Sequence, residues 1–222
     1  MRTCAATAGL AAAILVMSWV PAWTAPKPAD IPVSWELELY RPGALQTIQV
    51  RVYPNEPLKT YWYLRYSVTN QTGQDRIFTP EFDLVTETGQ MLHAGKAPAA
   101  VFEAIKKLHN DPLMLDMTGM TGKLLQGEDN AKVGVAIWPD FDPQAGAVDL
   151  FVGGLSGETV ELTLPTPVEV TETDVKTGEQ KTVAKDKVVL SKTLHLRYSI
   201  PGEASSRLRA PVRLEKKEWV MR

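Results

Sequence analysis

The chain has 222 residues, with 24 basic and 26 acidic side chains, a net charge of -2 and a single cysteine. This near balance of charge argues against nucleic acid as a partner, because binding to phosphates needs a basic surface. The length is sufficient for one ordinary domain with its own apolar core, so stability requires neither disulfides nor structural metals.

Residues 1–22 have the three parts of a secretory signal peptide. Arg2 gives the positive start, residues 3–20 form an uncharged run, and the small residue Ala22 precedes the predicted cut. The run is too short to cross a bilayer comfortably, since a spanning helix needs about 20 apolar residues. We therefore predict cleavage before Trp23 and an exported protein, periplasmic or extracellular, without a membrane span.

Cys4 is the only cysteine, and it lies inside the predicted signal peptide. The mature chain would then have no thiol for a disulfide or a thiolate metal site. A cut before Ala25 and a retained membrane anchor are the alternatives. Residues 23–32 are rich in proline and alanine and show no periodicity, which predicts a linker.

Most of residues 33–202 shows the alternation of apolar and polar residues that is typical of strands with one buried face. A polar turn at Asn70–Asp75 predicts a hairpin between two of these strands. In the last strand, only Lys192 interrupts an otherwise apolar face. The predicted strands cover residues 33–39, 48–52, 61–69, 78–84, 133–137, 148–152, 160–164 and 188–200.

One short helix is predicted over Pro98–Leu108, where Val101, Ile105 and Leu108 recur at helical spacing. Residues 168–187 are mostly polar and predict a protruding hairpin that turns near Lys176–Glu179.

Residues 203–222 form a basic C-terminal tail, which we expect to lie on the acidic body, with an external anionic partner as the alternative. Many short strands without a βαβ rhythm indicate an all-β, antiparallel β-sandwich.

Several turn and core positions resemble those of immunoglobulin-fold domains in uncharacterised exported bacterial proteins. They are the tryptophan-rich strand with its turn at Thr69-Asn70, Gln126-Gly127-Glu128, Ile137-Trp138-Pro139 and Gly153-Gly154-Leu155, within residues 35–202. The resemblance implies an immunoglobulin-like fold and an exported location. None of these motifs is catalytic, so it implies no activity.

A methionine run gives the sharpest metal hypothesis. Met114, Met117 and Met120 follow His109, and thioethers with imidazole are ligands that Cu(I) selects. Methionines at this spacing also fill irregular gaps in apolar cores, which is the alternative.

A second metal hypothesis places calcium at Asp140, Asp142 and Asp149, because carboxylates at loop ends can bind hard cations. The loop glycine of an EF-hand is missing, and solvated turn residues are the alternative. We therefore expect no bound cofactor.

Tyr61 and Tyr63 lie on the face of their strand opposite Trp62. If exposed, these rings suit stacking against a sugar or contact with a protein. If the helix from Pro98 packs over them, they become a second small core.

The sequence Gly153–Gly157 lacks the spacing of a nucleophile elbow, because a glycine directly follows Ser156, and it predicts a tight turn. We expect a non-enzymatic binding or structural module of the cell envelope, with an unknown protein or glycan as partner. The alternatives are a carbohydrate-binding module, a copper-binding protein, or an enzyme whose site is assembled from scattered residues.

Overall fold

The computed structural model describes residues 25–40, 44–95, 97–173, 180–200, 208 and 211–222. Antiparallel strands dominate the described residues, and the predicted all-β class is confirmed. The predicted signal peptide and the turn at Lys176–Glu179 lie outside the described residues. The elements are β1 Glu38–Tyr40, β2 Gln46–Val50, β3 Lys59–Asn70, β4 Arg76–Phe78, β5 Glu81–Thr86, β6 Met91–His93, α1 Ala99–His109, α2 Met117–Met120, β7 Gly122–Leu124, β8 Gly127–Pro139, β9 Ala147–Gly153, β10 Thr159–Thr173, β11 Gln180–Ser199 and β12 Arg213–Met221.

The smaller sheet is centred on β3. This strand pairs with β8 along one edge, and with β2 and β1 one after the other along the opposite edge. The larger sheet has the order β6-β5-β9-β11, and β10 and β12 also pair with β11. Strands β4 and β7 form a separate two-stranded sheet.

The smaller and the larger sheet face each other across the main apolar core. In β3 and β8 every second residue points inward, including Trp62, Tyr66 and Trp138, and β5 contributes Phe82 from the facing sheet. The ring centroids of Tyr66 and Phe82 are 4.6 Å apart, so the sheets are in direct contact. The alternation read from the sequence therefore identifies the buried face.

The predicted hairpin after β3 is wrong. After the turn at Asn70–Asp75, β4 pairs with β7, and β5 joins the larger sheet beside β9. Pro80 lies between β4 and β5, and proline cannot donate to a strand ladder, so the chain crosses between sheets there. The first predicted strand is also too long, because Val33 is exposed and strand β1 begins at Glu38.

Helix α1 packs on the outer face of the smaller sheet. Its N-cap is Pro98, and its C-cap is Asn110, which adopts the left-handed conformation that asparagine tolerates. The predicted single helix is joined by α2, one turn whose N-cap Asp116 accepts a hydrogen bond from the Gly119 N–H group at 2.7 Å.

The C-terminal residues extend the larger sheet. Residues 213–221 are not a separate tail but strand β12, which pairs with β11. At Arg222 the predicted contact with the acidic body is present, because its guanidinium lies 2.9 Å from Asp83.

Beyond the core, β10 and β11 continue as a two-stranded ribbon that pairs as far as Thr173 and Gln180, in agreement with the predicted protruding hairpin. Val188, predicted on the buried face, belongs to this ribbon and is exposed.

Candidate functional site

The connection between β9 and β10 creates an unusual site in the larger sheet. Both strands run along the same edge of β11, and residues 154–158 bulge out between them. The bulge leans toward the smaller sheet, where Leu37 donates its N–H group to the Leu155 carbonyl at 2.7 Å. Glu36 pairs with Ser156 as an isolated bridge. The predicted tight turn therefore brings Glu36 and Glu158 to the face of β11.

Lys192 lies on β11 at the point where the bulge opens. Its ammonium nitrogen is 3.0 Å from Glu36 Oε2 and 3.2 Å from Glu158 Oε2. Lys192 is 3% exposed and Glu158 is 6% exposed, so these two groups are almost withdrawn from water, whereas Glu36 is half-buried. A buried ammonium group at this position requires such carboxylate partners.

The pKa shifts show which groups are charged. Burial acts to lower the pKa of Lys192, but the carboxylates of Glu36 and Glu158 outweigh it, and the pKa is raised. The Ala29 N–H group and then Lys192 lower the pKa of Glu158 despite its burial. Lys192 therefore stays protonated and Glu158 stays ionised near neutral pH. Such groups suit binding better than proton transfer, which favours a pKa near the working pH.

Trp219 on β12 completes the floor of the site. It lies opposite Leu194 in the strand register, and the Lys192 ammonium is 5.2 Å from its ring centroid. This distance is within the range of a cation–π contact.

Residues Ala25–Pro32, here named the strap, cross this region without regular secondary structure. The strap is held where Ala29 donates its N–H group to Glu158 Oε1 at 2.8 Å. Between the strap, Trp219 and Glu36 lies a pocket of about 800 Å³, here named the Lys192 pocket. The segment predicted to be a linker is thus one wall of a pocket.

A second groove of about 690 Å³ lies beside α1, and it includes Phe102, Met117 and Ile137. Its lining is mostly apolar, with Asp116 and two threonines as polar groups. Among the described residues that line it, Asp116 is the only charged one, whereas three charged groups meet at Lys192.

Tyr61 and Tyr63 are buried under α1. They pack with Val101 and Ile105 of the helix, and Tyr63 is only 1% exposed. The second small core, which was the alternative to an exposed ligand face, is the arrangement found.

His109 lies at the end of α1 in a polar network. Its Nε2 atom is 2.9 Å from the Tyr63 hydroxyl, and its Nδ1 atom is 3.1 Å from Arg65 Nη1. Both ring nitrogens therefore have partners within the protein.

The methionines of the copper hypothesis are distributed between the two cores. Met114 packs in the small core under α1, whereas Met120 is buried in the main core. Met117 is half-buried, and its sulfur accepts a hydrogen bond from the Tyr66 hydroxyl at 3.8 Å. Met114 therefore lies in a different core from Met117 and Met120, and copper binding stays a prediction.

The aspartates of the calcium hypothesis have protein partners. Asp140 accepts a hydrogen bond from the Trp62 indole at 2.8 Å, and Asp142 accepts one from the Gln144 N–H group. Asp149 contacts both Arg197 and His195 on the outer face of the larger sheet. Within the described ranges, no three His, Cys, Asp or Glu side chains are grouped for a metal. Calcium binding also stays a prediction.

The ion cluster of the Lys192 pocket was not predicted as a site. One signal for it was present, namely a lysine on the apolar face of the last strand. The partners of that lysine could not be found, because Glu36 and Glu158 meet it only through the bulge.

Comparisons of the chain with the models of known protein families, with curated proteins and with solved structures find no match. None of the helices in the described part of the chain has the length and hydrophobicity that a bilayer crossing requires.

Proposed function

We propose that the protein is an exported, non-enzymatic binding module of the cell envelope, built on an immunoglobulin-like sandwich, and that its ligand site is the Lys192 pocket. The antiparallel two-sheet core agrees with such a fold. The N-terminal sequence pattern supports export, and the resemblance of turns and core positions supports the immunoglobulin-like fold.

One observation carries the proposed binding role. A pocket of about 800 Å³ adjoins a charged cluster in which Lys192 and Glu158 are at least nine-tenths buried. Ligand sites are commonly concave and mostly apolar, with a few convergent polar groups, and perturbed pKa values concentrate at such sites. The shifts keep Lys192 and Glu158 charged, which supports recognition of a ligand rather than acid–base catalysis.

The binding role can be tested by NMR on the purified protein. The indole N–H signal of Trp219, assigned by its loss in Trp219→Phe, is followed against a set of small cations, anions and neutral compounds. We expect at least one chemical class to shift this signal saturably while the indole of Trp138 in the main core stays unchanged. If no class shifts Trp219, or both indoles shift together, the proposed site is wrong.

Export is tested separately by N-terminal sequencing of the protein recovered from its native cells. We expect the chain to begin at Trp23 or Ala25. An intact N-terminus at Met1 on protein from the cytosolic fraction contradicts export but leaves the pocket measurement valid.

A further inference from the structure

We propose that the Lys192 pocket selects organic cations, meaning an ammonium or quaternary ammonium group on an apolar or aromatic body. This inference rests on the proposed function and specifies its ligand class. It follows from the charges, the hydrogen-bonding groups and the aromatic surface of the pocket.

The charges around the pocket favour a cation. Asp30 and Glu36 line it and Glu158 lies just beneath, whereas the carboxylate of Glu218, another lining residue, is already paired with Lys216 and His195. Lys192 at first suggests an anion site, but this ammonium group is 3% exposed and already lies within 3.2 Å of two carboxylates. An entering anion would compete with both carboxylates.

Among the described residues of the pocket lining, Lys27 in the strap is the other cation, and it is exposed. Carboxylates therefore outnumber the ammonium groups at this site. A cationic ligand would restore the balance of charge.

The strap also favours a ligand that donates hydrogen bonds or carries a positive charge. Three of its eight residues, Pro26, Pro28 and Pro32, have no N–H group, and the N–H group of Ala29 is donated to Glu158. The strap therefore carries more carbonyl oxygens than N–H groups. Anion sites built from backbone need the opposite, a set of converging N–H donors.

Trp219 favours an organic cation over a metal ion. Trp219 lines the pocket together with Val220 and Met221, which gives the cavity an apolar side. Tryptophan is the best aromatic partner for a cation–π contact, and such contacts are stronger when the cation is weakly hydrated. Oxygen-rich metal sites lack such walls.

The test uses three ligands of similar size that differ in charge: benzyltrimethylammonium, benzoate and benzyl alcohol. Affinities for the full protein are measured by titration of the Trp219 indole signal. We expect the cation to bind at least about tenfold more tightly than either other compound, which corresponds to about 1.4 kcal/mol. Raising the salt concentration should weaken the binding of the cation and leave that of benzyl alcohol unchanged.

Two variants connect this preference to the pocket. Trp219→Leu should weaken the binding of benzyltrimethylammonium by about tenfold, as loss of a cation–π contact predicts. Asp30→Asn should weaken it by about threefold and should fold normally, because Asp30 is an exposed residue of the strap. Because Trp219→Leu removes the indole signal, the affinities of this variant are measured by calorimetry. Glu103→Gln, an exposed substitution on α1, is the matched control and should change nothing.

The outcomes separate the ligand class from the binding role. Tighter binding of benzoate or benzyl alcohol overturns the cation preference while leaving the Lys192 pocket as a binding site. A response of Trp219 to calcium chloride alone overturns the organic character of the ligand. No response to any of these probes overturns this inference, and failure of the wider compound set also overturns the proposed function.

Discussion

Arg65 Nη1 donates a hydrogen bond to the Nδ1 atom of His109 at 3.1 Å, and this fixes the histidine tautomer. An arginine has no acceptor, so Nδ1 must be unprotonated and the proton of the neutral ring lies on Nε2. Nε2 then donates to the Tyr63 hydroxyl, which donates to Gln46 Oε1 at 2.5 Å. Arg65 also contacts Asp111 at 3.4 Å. The network links the end of α1 to two strands of the smaller sheet.

This network predicts a loss of stability at mildly acidic pH. Burial, and then the charge of Arg65, lower the pKa of His109. A lowered pKa means that the unfolded chain binds the proton more readily, so stability falls as the pH drops from about 6.5 toward the folded pKa. We expect denaturant titrations over this range to show the slope, and His109→Gln to reduce it. An unchanged slope in His109→Gln contradicts the assignment, and Lys107→Met, an exposed neighbour on α1, should retain the slope.

Lys192→Met should strongly destabilise the fold. The substitution leaves Glu36 and Glu158 without the ammonium group that both contact. Removing one partner from a buried ion cluster costs about 3 kcal/mol, measurable as the free energy of unfolding in denaturant. Adding Glu36→Gln and Glu158→Gln should recover part of the loss, because no unpaired charge then remains.

The control for Lys192 is a lysine on the ribbon. Lys187 pairs with Glu161 at 2.6 Å, but both side chains are exposed. Lys187→Met should therefore leave stability unchanged within error. Equal effects of the two lysine substitutions would contradict the buried character of the cluster.

Local periodicity was sufficient to predict much of the fold. The alternation in β3 places Trp62 and Tyr66 in the main core, and the helix pattern places Val101 and Ile105 against the sheet. These predictions succeed because burial of one face acts directly on residues close in sequence. The same pattern includes Leu108, which is 60% exposed.

Long-range pairing could not be predicted in the same way. A polar turn after Asn70 shows that a strand ends, but it does not show which sheet the next strand joins. The Lys192 pocket depends on three such choices: the path of the strap, the bulge that carries Glu158, and the addition of β12 with Trp219 to the edge of β11. Each joins segments far apart in the chain, and no local pattern encodes their partners.

Ile105→Ala should release α1 from the smaller sheet. Ile105 is fully buried in the small core with Tyr61 and Tyr63, so the truncation leaves a cavity and should cost about 3 kcal/mol. Leu108→Ala on the same helix should cost no more than about 0.5 kcal/mol, because Leu108 is exposed. Urea unfolding curves followed by tryptophan fluorescence compare the two. Similar costs for both would show that α1 is not docked through Ile105.

Gly154→Ala tests the bulge that shapes the Lys192 pocket. Gly154 has a φ of +78°, and a Cβ atom there would lie 2.1 Å from the Thr79 carbonyl oxygen, so both conformation and space exclude a side chain. We expect a loss of at least about 3 kcal/mol in the free energy of unfolding. Gly73 provides the matched comparison, because its φ is +83° but no atom lies within 4 Å of the added Cβ. Gly73→Ala should lose about 1 kcal/mol from backbone strain alone, and equal losses would show that the contact with Thr79 does not constrain the bulge.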